Sequence, residues 1–167
     1  MSIITSRQSI RTFLDKSVEQ DQIMQIVEAG MAAPSSKNKR PWQFLVIKNT
    51  ELLQEILAFH PNWKMVKGAQ KAIIVCGDKS KDDREQQLTM TCSAVAQNIL
   101  LKSTELGLGS VWLGCFPDAA RCNFLIEKLE LPSYIVPMAL IPIGYAAETS
   151  EKNRVIDLQK IHIDRWQ

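Results

Sequence analysis

The stretch LTMTCSAVAQNILLKSTELG, residues 88–107, limits the fold more than any other part of the chain. Read as a helix from Leu88 to Leu106, it sets Val95, Ile99 and Leu106 along one line, with Ala94 and Leu101 beside them. A helix that is apolar over most of its circumference has to be packed on several sides. Gly107 ends it, because glycine suits the left-handed turn that closes a helix C-terminus. The remaining segments must therefore wrap around a central helix.

Those segments alternate between helical and extended patterns. A short N-terminal turn or helix runs to about Arg7, and SVEQDQIMQIVEAGMAA then opens with Ser17 and Gln20 in capping-box spacing. Ile23, Ile26, Val27 and Met31 fall on one face of that second helix, which must stop before Pro34. QFLVI (43–47) reads as a strand, ELLQEILAF as a short amphipathic helix, and AIIVCG (72–77) as a fully buried strand. DKSKDDREQ reads as a charged, solvated connector into the central helix. SVWLGCF gives a third strand, and DAARCNFLIEKLEL a helix capped by Asp118 with Pro132 beyond its end. IVPMALIPIGY is a fourth strand, which its prolines place at an edge or a bulge. The tail, 146–167, is polar but ends in IHIDRW, with enough apolar residues to dock.

At 167 residues the chain is one domain, 1–167, without repeats or low-complexity linkers. A net charge of +2 argues against nucleic acid or an anionic membrane as a partner, and no apolar run approaches the roughly 20 residues of a membrane span. MSIITSRQSIRTF lacks a secretory h-region, so a cytoplasmic location is expected. Cys76, Cys92, Cys115 and Cys122 form no C-x-x-C pair, and the two histidines, His60 and His162, are far apart in sequence. No metal is expected, and the cysteines read as small buried hydrophobes.

The glycines of ELGLGSVWLG invite a dinucleotide-binding reading, but a Rossmann fingerprint needs its strand before the glycines and its helix after them. Here the order is reversed. There is no local Ser–His–Asp context, no H-E-x-x-H and no P-loop. An enzyme without such side chains borrows a cofactor and contributes binding, orientation and charge. SRQSIRTF brings together Arg7, Ser9 and Arg11, groups suited to a phosphate, and EKNR adds Lys152 and Arg154. Lys64, Lys67 and Lys71 read as solvated surface. APSSKNKRPW (33–42) combines turn residues with Trp42, an anchor for the strand behind it.

The order SRQSIRTF, AAPSSKNKRPWQFLVI, AVAQNILL running into ELGLGSVWLGCF, IPIGY and KNR resembles the nitroreductase family of FMN-dependent oxidoreductases over essentially the whole chain. The resemblance implies an α+β fold, a mainly antiparallel sheet flanked by helices. It also implies an intertwined homodimer whose C-terminal tail, 146–167, extends over the partner, with Ile161, Ile163 and Trp166 as docking residues. FMN would be held by Arg7, Gln8, Ser9 and Arg11, with Arg7 and Ser9 at the phosphate and ribityl end and Arg11 near the pyrimidine edge. Lys152 and Arg154 would return to the phosphate, while Pro34, Ser35, Ser36 and Asn38 would come from the other protomer. Trp112, Leu113 and Gly114 would lie over the ring, with a backbone N–H near N5; some relatives carry an acidic residue in place of Gly114, and many carry Gln in place of Arg40.

The chemistry implied is hydride transfer from NADH or NADPH to FMN, then onward to a small electron-poor acceptor such as a nitroaromatic or a quinone, in a ping-pong sequence. The flavin N5 carries it, with no catalytic side chain. Two alternatives stand beside this: a flavin-binding or storage protein with little turnover, and a specialised family member acting on another substrate.

Overall fold

The computed structural model describes residues 2–148 and 157–166. Two strands, β1 (Trp42–Ile47) and β2 (Lys71–Asp78), pair antiparallel with Trp42 opposite Gly77 and Ile47 opposite Ala72. Beyond β2 lies β5 (Ile135–Gly144), and its far side carries two short strands, β3 (Gly109–Ser110) and β4 (Leu113–Gly114). Every strand pairing is antiparallel. The fold is α+β, as expected.

Helices cover both faces. Ile73 and Val75 of β2 meet α2 (Gln20–Met31) and α4 (Glu85–Glu105) in one apolar layer. Ala72, Ile74 and Cys76 meet α3 (Thr50–Phe59) and α5 (Ala119–Lys128) in the other, around the buried Trp63. Alternate residues of a strand point to opposite faces, so one buried strand supplies both layers. α4 buries Leu88, Cys92, Val95, Ala96 and Ile99 against the sheet and α2, and leaves Ala94 and Leu101 only half covered. Its end is a Schellman turn: Leu108 N–H donates to Ser103 O at 2.8 Å and Gly107 N–H to Thr104 O at 3.1 Å, with Gly107 at φ +72°.

Five expectations need correction. The fourth strand, β5, is central rather than at an edge. Its Met138 carbonyl accepts from Cys115 N–H at 3.1 Å. Pleat alternation then turns Pro142's missing N–H toward the same side, where Val111 and Trp112 leave the ladder between β3 and β4. The predicted single strand SVWLGCF is split at that point. Pro137 sits where the β2–β5 register shifts between Val75 and Cys76, so the expected bulge is present. The cap of α2 is Glu19 with Gln22, not Ser17 with Gln20, and Gly30 rather than Met31 completes the buried face. Met31 is exposed. Finally, the connector DKSKDDREQ is not wholly solvated, because Asp78 and Asp82 are buried.

Candidate active site at the sheet end

The segment after α1 (Ile3–Ser6) runs along β3. Ser9 bridges Ser110 in parallel, and Ile10 N–H donates to Ser110 O at 3.0 Å. Arg7, Gln8 and Ser9 are half-buried there, while Arg11 is exposed. Gly109 makes this approach possible: an added Cβ would lie 2.8 Å from Ile10 Cγ2. Ser110 is buried, and its Oγ has no hydrogen-bond partner among the described residues. Glu148, which the sequence did not point to, accepts from Arg11 N–H at 2.7 Å and Thr12 N–H at 3.1 Å. Those two backbone donors, Arg11's first, hold its carboxyl below the usual range. Lys152 and Arg154 lie outside the described residues.

Trp112, Leu113 and Gly114 follow on the same outer side of β5. Trp112 is 38% exposed beside a small hollow lined by Thr89, Cys92, Ser93, Phe116 and Met138, and Leu113 is buried. Nothing lies within 4 Å of where a Gly114 side chain would begin. Arg121 of α5 donates from Nη1 to Gly114 O at 2.9 Å. It too carried no signal in the sequence.

The loop 34–41 is built separately. Ser35 Oγ accepts from Arg40 N–H and Asn38 Oδ1 accepts from Arg40 Nε, each at 2.9 Å, so Arg40's partners lie within the loop. Lys37, Asn38 and Arg40 all have positive φ, between 48° and 53°. Such backbone is uncommon outside glycine and persists where the surroundings fix it. Here Asp82 does the fixing. It pairs with Arg84 at 2.7 Å and Lys39 at 3.2 Å, while Arg84 Nη2 reaches Ser36 Oγ at 3.3 Å. Arg84's hydrogen bonds, with Lys39's behind them, hold the Asp82 carboxyl well below the usual carboxylate range. An Asp just ahead of a helix is a capping signal. Its partner Arg84 meets a serine 48 positions away, which no local pattern gives.

The two groups sit at opposite ends of α4. Gln8 shares a hollow of about 140 Å³ with Thr104, Gly107 and Leu108, whereas Ser36 is tied to Arg84. Between them run the 21 residues of the helix, roughly 30 Å. Within one chain the structure places 7–11 and 112–114 on the outer side of β5, with Gln8 at the C-terminal end of α4 and Trp112 beside Thr89 to Ser93 in its N-terminal half, and it does not bring 34–38 to the end where Gln8 sits. Larger hollows, of about 380 Å³ beside Ile4 and Leu101 and about 420 Å³ beside Gln43 and Asp78, lie away from the predicted residues.

All four cysteines are free and buried, and burial pushes Cys76 and Cys92 up to about 12. No group of residues among those described could hold a metal ion, and no described helix is long and apolar enough to cross a membrane.

The chain belongs to the nitroreductase family, whose profile matches residues 4–72 and 58–145. It is 38% identical over 166 residues to a protein of Methanothermobacter thermautotrophicus provisionally named an NADH dehydrogenase/NAD(P)H nitroreductase, covering 99% of this chain and 87% of that one. A crystal structure from Bacteroides thetaiotaomicron carrying the same provisional name superposes with a TM-score of 0.92 at 40% identity, covering 98% of this chain and 96% of the other. A provisionally named nitroreductase from Desulfovibrio desulfuricans, solved in complex with FMN, has a TM-score of 0.85 at 29% identity, covering 99% and 96%.

Proposed function

We propose that the protein binds FMN and carries a hydride from NADH or NADPH to an electron-poor acceptor, nitroaromatic or quinone, with donor and acceptor alternating in one pocket. The observation that carries this is the donor set at the sheet end. Ser9 bridges β3 at Ser110, whose hydroxyl is orphaned, with Arg7, Gln8 and Arg11 beside Ser9 in the same segment, and the Trp112–Gly114 strand follows along β5. Guanidinium and hydroxyl groups suit a terminal phosphate, and they fit a flavin mononucleotide in kind. The relative solved with FMN supports the same cofactor here.

The hollow at Gln8, about 140 Å³, is smaller than the roughly 300–1,000 Å³ of a typical ligand pocket. A second copy of the chain would complete it. Two-fold symmetry can set loop 34–38 of one protomer against 7–11 of the other, which a single chain keeps at opposite ends of α4, with 112–114 between them. In that assembly Arg7 and Ser9 hold the phosphate end, with Lys152 and Arg154 returning to it. Arg11 supplies positive charge at the pyrimidine edge, and Pro34, Ser35, Ser36 and Asn38 wall the ring. The tail, with Leu158, Ile161, Ile163 and Trp166 exposed, docks on the partner.

Bound FMN would supply the two-electron redox chemistry between nicotinamide and acceptor. The chain's own residues bind and orient, and the half-exposed Trp112 borders an open site that admits flat molecules.

The test is direct. Protein as purified should release FMN rather than FAD, bleach with NADH or NADPH without oxygen, and recolour with a quinone. Double-reciprocal plots should be parallel. Yellow protein that never bleaches would indicate flavin storage, and intersecting lines would overturn the single-pocket sequence.

A further inference from the structure

We propose that Arg121 is a positioning residue that clamps the Gly114 peptide, so that the Gly114 N–H is presented to the flavin ring; this rests on the FMN reading above. Cys115 N–H donates to Met138 O, so Cys115 turns its backbone groups toward β5. Leu113 pairs with Leu140 and Gly114 with Ala139. Backbone polar groups alternate between the two edges of a strand, so Gly114 turns both its N–H and its carbonyl outward. The carbonyl is taken by Arg121 Nη1 at 2.9 Å. The N–H lies on the same outer edge, and the face beside Gly114 is open, since an added Cβ there would meet nothing within 4 Å.

Arg121 is itself held from two directions. Its Nε pairs with the Asp118 carboxylate at 3.2 Å as an ion pair without hydrogen-bond geometry, and its Nη2 lies 3.0 Å from His60 Nε2. Its own N–H is bound by the Asp118 cap. A charge-assisted bond from an arginine fixed in this way is directional and strong. Glycine has the freest backbone of any residue, so an outside clamp does for Gly114 what a side chain and its packing do elsewhere. The clamp joins α5 and the turn after α3 to the strand that carries the donor.

The experiment compares wild-type, Arg121→Met and Arg121→Lys proteins in two arms. In flavin-free protein, amide exchange at Cys115, whose N–H is bonded to Met138 O, should speed up at least tenfold in Arg121→Met while β1 and β2 keep their protection. In FMN-loaded protein, the rate constant for flavin reduction by NADH or NADPH should fall about tenfold, the visible spectrum of the bound flavin should shift, and FMN affinity should stay within twofold. Arg121→Lys, which keeps a cation near the carbonyl, should recover part of both effects, and it carries the test if Arg121→Met does not fold. Unchanged exchange at Cys115, or faster exchange with an unchanged reduction rate, overturns the proposal. A wild-type protein that takes up no FMN overturns the FMN reading itself, and with it this one; normal uptake with normal reduction in both variants overturns this one alone.

Discussion

Arg84 Nη2 lies 3.3 Å from Ser36 Oγ and ties the 34–41 loop to the N-terminal end of the central helix. The tie depends on Asp82, which is 2% exposed and bound to both Arg84 and Lys39.

Asp82→Asn should therefore loosen the loop, seen as faster amide exchange over residues 35–41. The pH dependence follows from the depressed carboxyl. A folded-state value below the unfolded one, near 3.9, contributes stability in full above that value and loses it as pH falls. The stability gap between wild-type and Asp82→Asn should be constant from pH 8 to 5 and narrow progressively below about pH 4. A gap that widened on acidification would show that the carboxylate does not hold the loop.

Gly109→Ala tests the seam that carries residues 7–11. The new methyl would sit 2.8 Å from Ile10 Cγ2 and 2.9 Å from Ile10 Cβ, and neither is the far end of a flexible chain. Overpacking of this kind costs about 1–3 kcal/mol. Denaturant unfolding should show that loss, and FMN retention should fall with it, because Ile10 lies between Ser9 and Arg11. Weakened folding with normal FMN binding would detach this segment from the cofactor.

Subunit mixing tests whether the site is shared. Arg11→Ala leaves the backbone bonds to Glu148 and Lys67 in place, and Asn38→Gly tolerates the φ of 53° at that position. Each homodimer would carry a lesion in both sites. After unfolding and refolding together, about half the dimers should be mixed, each with one intact site, so about a quarter of all sites should recover. No recovery, against a refolded wild-type control, would place Arg11 and Asn38 in the same protomer's site.

Truncation after Ala147 removes Lys152, Arg154 and the exposed Ile161, Ile163 and Trp166 together. Apolar residues grouped on an exposed segment mark a docking surface. The shortened protein should lose both dimer and colour in gel filtration. A dimeric, yellow product would show that the tail plays neither part.

The order of elements was legible because it is written in local periodicity, and the central helix most plainly of all. Where the reading failed, the cause was tertiary. Pro137 and Pro142 suggested an edge or a bulge; the bulge is there at Pro137, but the strand is central, because what a proline costs depends on which neighbour its missing N–H faces, and here one faces a register shift and the other a gap. Met31 continued the apolar spacing of α2 but lies one position beyond Gly30, the last buried residue of the face that packs on α4. Asp82 looked like solvated connector because its partner Lys39 and the serine beyond Arg84 are remote in sequence. Of the candidate site, the segments 7–11 and 112–114 were found through their shared order along the chain. Arg121, Arg84 and Glu148 belong to no motif and became visible only through their contacts.

β1 forms one rim of the sheet, and among the described residues nothing pairs with its outer side. Its sequence, WQFLVI, contains no charge and no proline, the two features that commonly keep such a rim from recruiting a stranger. A newly made chain thus carries an adhesive margin from the moment β1 and β2 zip together. Soluble yield should then depend on a race between lawful assembly and edge-to-edge clumping, one that warm, rapid overexpression tilts toward the clump.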